Sequence, residues 1–198
     1  MGEMNTNLAA LIGSRICHDL ISPIGAINNG LELLSMSGNP AGAEIGLIGE
    51  SVDNASARIR FFRIAFGAAG DQLIGPAEIS SILRDLYDGG RLDVDWAEVE
   101  AAPRRDVRLC FLAILCLESA MPYGGRVTIA RKGEGWQLSG EADRINVDAD
   151  LWNLLSGAGR PANLQPSHVQ FALLPLIAAD SGRKVYCRSD DTTVTLEF

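Results

Sequence analysis

The sequence predicts an α+β protein in which an amino-terminal helical hairpin precedes a helix-covered sheet. Three observations predict it. From Leu8 to Leu34 apolar residues recur every three or four positions, the spacing of one helix face. After a turn-rich gap, Ile45, Ile48, Val52, Ala55, Ile59, Phe62 and Phe66 keep a strict alternation of three and four, the seam of a helical bundle. From Pro76 onward, strand-like segments alternate with helical ones. The chain therefore divides into residues 1–70 and residues 76–198.

The first helix is expected from Asn5 to Met36. Counting about 100° per residue from His18, the residues Ile12, Ile16, Leu20, Ile24, Ile27, Leu31 and Leu34 fall between roughly 120° and 240°. His18 thus points away from the apolar stripe. Ser14, Arg15, Ser22, Gly25 and Asn29 share its face, with Leu11 the one bulky apolar neighbour before Leu33. An imidazole placed there is a nucleophile that another protein can reach. Pro23 cannot donate a hydrogen bond to the carbonyl of Asp19, which allows a bend just beyond the histidine.

The segment Ser37–Gly42, SGNPAG, reads as a turn, and the second helix runs from Ala43 to Gly67. Two such helices form an antiparallel hairpin that buries little alone, so pairing with a second hairpin into a four-helix bundle is the economical solution. A second copy of the chain is the simplest source. If the hairpin folds about residue 39, His18 lies level with about residue 60, which brings Arg58, Arg60 and Arg63 to its height. Phe61 faces away from the seam, toward the second domain or a partner. Ala68–Pro76 reads as a linker.

In the second half, Ala77–Tyr87 follows a Pro start as a helix and Arg91–Trp96 alternates like a strand. Asp106–Met121 is a strongly apolar helix, Gly124–Lys132 and Gly135–Ala142 are neighbouring strands, and Asp150–Leu155 is a short helix. Ser156–Pro166 is a loop, His168–Gly182 a helix, and Lys184–Phe198 closes as a hairpin.

Composition narrows the function. The chain has 198 residues, 47% of them apolar, and a formal charge of -8. Such an acidic balance argues against nucleic acid as the main partner. No apolar run reaches the roughly 18 residues of a membrane span, no secretory leader is visible, and the expected address is the cytoplasm. Cys17, Cys110, Cys116 and Cys187 form no CxxC pair and lie mostly in apolar runs, so reduced thiols are expected rather than a metal site or disulfides. His168 reads as a surface or capping residue. No metal-ligand spacing is present.

One segment carries a resemblance. In HDLISPIG, His18 is followed by an acidic residue, an aliphatic and, after two more positions, Pro23, as in the phosphoacceptor box of dimeric sensor histidine kinases. The longer run HDLISPIGAINNGLELL, with ARIRFFRIAFGAAG, closely resembles the alphaproteobacterial ChpT-type histidine phosphotransferases. The likeness spans the chain, because the second half follows the element order of a kinase ATP-binding domain and LLPLIAADSGRKVYCRSDDTTVTLEF parallels its carboxyl end. The implied fold is a dimeric four-helix bundle of the kinase dimerisation type, followed by a degenerate Bergerat (GHKL) ATPase-like α/β sandwich.

The departures from kinases matter as much. Kinases carry a magnesium-binding Asn on the helix before the GG turn, yet Asp106–Gly125 contains no Asn and the equivalent position is near Cys116. The run SGEADRIN lacks the adenine-binding Asp-Gly box, and QPSHVQFA lacks the Gly-rich lid. The resemblance therefore implies a relay protein that accepts a phosphoryl group on His18 from a receiver-domain aspartate and passes it to another receiver, without binding ATP. It binds no cofactor of its own, since Mg²⁺ comes with the receiver. Asp19 has a secondary role beside the imidazole, while Arg15, Ser22, Gly25, Asn29, Arg58, Arg60 and Arg63 form the expected docking surface. The partners implied are a second copy of the chain, the receiver of a hybrid histidine kinase, and response-regulator receivers. The alternative is a dimeric adaptor or pseudo-kinase that binds receivers without transferring anything.

Overall fold

The structure, a computed structural model, describes residues 2–37, 42–68, 70, 72–157 and 164–198. Residues 38–41 of the expected turn, 69 and 71 of the expected linker, and 158–163 of the expected loop lie outside them. Two long helices, α1 (Gly2–Ser37) and α2 (Gly42–Ala65), form the hairpin. Its register is the one a fold about residue 39 predicts. Gly30 is buried against Ile48, and a Cβ at that position would meet the Ile48 Cγ1 at 2.5 Å. α1 runs unbroken through Pro23.

The seam of α2 splits in two. Ala55 and Phe62 are buried and Ile48 is half-buried, whereas Ile45, Val52 and Ile59 stay 53%, 44% and 52% exposed. Each set repeats at seven residues, so the two sets form adjacent stripes, and only the first is covered within this chain. α1 divides similarly: Leu20, Ile27 and Leu34 are half-buried, while Ile24 and Leu31 are largely exposed.

The base of the hairpin merges with the second half. Leu8, Leu11, Ile12 and Ile16 of α1, with Phe61, Phe62, Ile64 and Ala65 of α2, join the same core as the sheet domain. Leu11, the apolar residue out of place on the histidine face, is explained by this contact. Phe61 is fully buried, stacked on Phe111 with ring centroids 4.5 Å apart and edge-on to Tyr87 at 6.2 Å. It does face the second domain.

The expected linker is partly ordered into structure. Leu73–Ile74 (β1) pairs antiparallel with Ala102–Pro103 (β3), and the carbonyl of Gln72 accepts from the Arg104 N–H at 2.8 Å. Two-residue strands carry too little alternation to be seen as a pattern. The helix α3 (Pro76–Tyr87) follows, then β2 (Leu92–Trp96), α4 (Arg104–Ala120), β4 (Gly125–Lys132), β5 (Gly135–Glu141), α5 (Ala149–Leu155), α6 (Val169–Asp180), β6 (Tyr186–Ser189) and β7 (Thr193–Glu197). The main sheet has the order β2-β4-β5-β7-β6, with β2 parallel to β4 and the other pairs antiparallel.

Alternation decides which face of the sheet is inside. Val127 and Ile129, Trp136 and Leu138, and Val194 and Leu196 all point to the helices and are buried. α4 is apolar nearly all round because α2, α6 and the sheet surround it. At its start the buried Asp106 accepts from Trp136 Nε1 at 3.1 Å and from the Arg183 guanidinium at 3.3 Å, which ties the helix to the sheet and to the segment after α6. Burial pushes the thiols of Cys110 and Cys116 well above their usual range.

Candidate functional site

The site is built on the middle of α1, where the chain passes from the hairpin's base to its free upper half. The His18 side chain is 84% exposed and its Nδ1 lies 3.1 Å from Asp19 Oδ1. An ionised carboxylate only accepts, so this contact requires the proton on Nδ1 and leaves the lone pair on Nε2. With the ring this exposed, Nε2 is the nitrogen left without that partner.

Asp19 is held from its other side. Arg15, one turn earlier, donates from Nε to Asp19 Oδ2 at 2.8 Å, and from Nη1 to the Ser167 carbonyl at 2.7 Å. Ser167 lies in a 3-10 turn, Pro166–His168, just before α6. The same carbonyl accepts from Gln170 Nε2 at 2.9 Å, and Gln170 is fully buried. Arg15 and Asp19 are only 15% and 10% exposed. Arg15, expected on the docking surface, is thus turned into the joint between the two halves of the molecule. Its i,i+4 spacing to Asp19 is visible in the sequence; the Ser167 contact, 152 residues away, is not.

The other expected docking residues divide by their own partners. Ser22 and Asn29 are exposed, and Gly25 has nothing within 4 Å of where a Cβ would stand. Together they leave a low, open surface beside the imidazole. Arg58 donates from Nε to Asn54 Oδ1 at 2.9 Å. Arg60 is taken up by an ion pair with Asp85 of α3. Arg63 is exposed, and its carbonyl accepts from the Arg104 side chain at 2.8 Å. Of the three arginines, Arg58 borders the ground next to Asp19.

That ground is a cleft of about 360 Å³ between the hairpin and the second domain. Arg15, Asp19 and Arg58 line it from the hairpin, and Tyr87, Arg91 and Glu118 from the other side. Arg91 Nη2 pairs with Glu118 Oε1 at 3.0 Å. Burial, reinforced by Glu118, keeps the Tyr87 phenol well above its usual range, so it remains a neutral hydroxyl. Sequence reasoning missed Tyr87, Arg91 and Glu118, for they are dispersed over α3, the turn before β2, and α4, with no shared spacing.

Behind the cleft, α4 and α6 are in close side-chain contact. Cys116 and Phe171 are fully buried, and Gln170 Nε2 reaches the Leu115 carbonyl and the Ser119 hydroxyl, each at 3.4 Å. Met121 fills the space over Gly125 and Gly140, its sulfur 3.1 Å from where either Cβ would lie. His168 is half-buried, edge-on to Phe171 at 6.3 Å. Among the described residues, no three His, Cys, Asp or Glu side chains gather as a metal site requires. No helix among them is long and apolar enough to cross a membrane.

Residues 76–193 match the family model described as the histidine phosphotransferase C-terminal domain. Over 186 residues the chain is 34% identical to protein phosphotransferase ChpT of Brucella abortus strain 2308, covering 90% of this chain and 88% of that protein. The chain belongs to the ChpT-like histidine phosphotransferases. A solved structure of a bacterial phosphotransferase superposes with a TM-score of 0.81 at 33% identity, covering 97% of this chain and 95% of the other. This ChpT-like chain is accordingly a protein phosphotransferase of phosphorelay type, with the helical hairpin and mixed sheet described above.

Proposed function

We propose that His18 is the phosphoacceptor of this phosphotransferase, taking its phosphoryl group from an aspartyl phosphate on a hybrid-kinase receiver and handing it to a response-regulator receiver. One observation carries the reading: the exposed imidazole has Nδ1 turned to Asp19 and Nε2 open to solvent. In the transfer, the Nε2 lone pair forms the N–P bond while the acyl phosphate's O–P bond breaks. The electron pair leaves with the receiver's carboxylate. No proton has to move, because Nδ1 already carries one and the resulting cationic ring faces Asp19. The reverse sequence delivers the phosphoryl group to the second receiver. Any Mg²⁺ that the aspartyl phosphate requires belongs to the receiver.

The tight joint between α4 and α6 supports a relay role without ATP. Cys116, near the position where the resemblance places the magnesium-binding Asn of kinases, is fully buried, as are Gln170 and Phe171 of α6. A homodimer is supported by the split seam. Ile45, Val52 and Ile59 with Ile24 and Leu31 present an apolar stripe that a second hairpin would cover. Such an assembly leaves the His18 face, with Ser22, Gly25 and Asn29, free to meet a receiver. The same reading places its action in the cytoplasm, where a phosphorylated receiver would meet it.

The test is to incubate the protein with a phosphorylated receiver domain and follow the label. Wild type is expected to take it up and pass it to a second receiver, and His18→Ala to take up none. Binding without uptake by wild type sinks the proposal. Labelling of the chain from ATP alone would show that it acts as a kinase instead.

A further inference from the structure

We propose that Arg15 is a positioning residue that lets the second domain fix which nitrogen of His18 is the nucleophile. This inference rests on the reading of His18 as phosphoacceptor and concerns how the imidazole is prepared. The path is continuous. The buried Gln170 amide fixes the Ser167 carbonyl at 2.9 Å, that carbonyl accepts from Arg15 Nη1 at 2.7 Å, and Arg15 Nε donates to Asp19 Oδ2 at 2.8 Å. Asp19 Oδ1 then faces His18 Nδ1 at 3.1 Å.

Each link has a physical reason. The guanidinium is a planar fork that stays charged, so one side chain can serve a carbonyl and a carboxylate with fixed geometry. Neither Arg15 nor Asp19 has room to wander, at 15% and 10% exposure. An unanchored Asp next to a surface His would sample several rotamers and hold Nδ1–H only part of the time. Pinned by Arg15, its Oδ1 is held toward the ring, which keeps the proton on Nδ1 and the lone pair on Nε2. The ring itself remains 84% exposed for the incoming receiver. Arg15 therefore acts through Asp19 rather than by touching the partner, and it makes the reactivity of the hairpin depend on its seat against the turn before α6.

The experiment compares wild type with Arg15→Met, Arg15→Lys, Asp19→Asn and the Arg15→Met/Asp19→Asn double variant. Met keeps the unbranched stem of Arg and a similar helix propensity, so α1 should persist, and thermal melts check this. Nitrogen-15 NMR of the histidine ring reads the tautomer. Wild type is expected to show the protonated nitrogen at Nδ1, and Arg15→Met to shift protonation toward Nε2. Phosphoryl uptake from a phosphorylated receiver is expected to slow about ten- to a hundredfold in Arg15→Met, the range for a lost charge-assisted hydrogen bond. Arg15→Lys, which keeps the charge without the fork, should fall between. Because Arg15 works through Asp19, the double variant should be no slower than Asp19→Asn alone.

A wild-type tautomer and rate in a folded Arg15→Met would overturn the proposal. So would losses that multiply in the double variant, because Arg15 would then contact the receiver directly. Should wild type take up no phosphoryl group at all, the phosphoacceptor reading fails, and the tautomer measurement still decides whether Arg15 positions the ring.

Discussion

At the scale of single residues, orientation separates side chains that look equivalent in the sequence. Arg15, Arg58, Arg60 and Arg63 are four cations near one histidine. In the structure one is locked to Asp19 and Ser167, one bonds Asn54, one pairs with Asp85, and one is exposed. Helix periodicity ranks residues by angle around one helix; it says nothing of which outward angle meets another domain. Phe61 illustrates the converse: its angle away from the seam points to the second domain or a partner, and the structure places it against Phe111 of the second half. Replacing Phe61 by Ala removes a fully buried ring stacked on Phe111. The expected cost is about 3–5 kcal/mol, read from urea unfolding. A cost below about 1 kcal/mol would show that the joint between hairpin and sheet domain tolerates its loss, against the packing described.

At the scale of the element, α1 serves two functions along its length. Its first half is seated on the second domain through Leu8, Leu11, Ile12 and Ile16, and its second half is clothed only by α2 on one side. Glycines mark the difference. Gly30 lies directly against Ile48 of α2, whereas Gly25 faces open space. Gly30→Val is expected to destabilise the hairpin, because overpacking costs about 1–3 kcal/mol and Val brings little helix propensity in return. Gly25→Ala should stabilise the helix by up to about 1 kcal/mol. Thermal melts of the two variants should therefore move in opposite directions, and equal shifts would contradict the register. A Gly25→Phe variant that accepts phosphoryl groups as wild type does would remove Gly25 from the docking surface.

At the scale of the whole molecule, the hairpin and the sheet domain share one core at the base, while the upper hairpin keeps an apolar stripe exposed. The exposed stripe of Ile24, Leu31, Ile45, Val52 and Ile59 is what a second hairpin would bury. Placing a charge there, as in Val52→Glu, is expected to turn a dimer into a monomer by light scattering at micromolar concentration, with the sheet domain's melting retained. A wild type that is monomeric under the same conditions would leave the stripe unexplained by self-association. In a dimer, the same substitution should also lower the stability of α2 above Ala55, where among the described residues α1 covers one side and the stripe stays exposed.

The sequence by itself determined the α+β class, the hairpin and its register, the order of helices and strands, and the exposure of His18. These follow from local spacing, because a period of 3.6 or 2 fixes which side chains share a face whatever the face later meets. The tertiary structure alone decided that the supposed linker carries a strand, that one bundle seam becomes two stripes, and that Tyr87, Arg91 and Glu118 gather opposite Asp19. It also decided that Arg15 spans 152 residues of sequence to reach Ser167. Contacts of that kind depend on how separate elements dock, and no periodicity within one element encodes the position of another. The exposed histidine was legible from its own helix; what holds its ring in place was not.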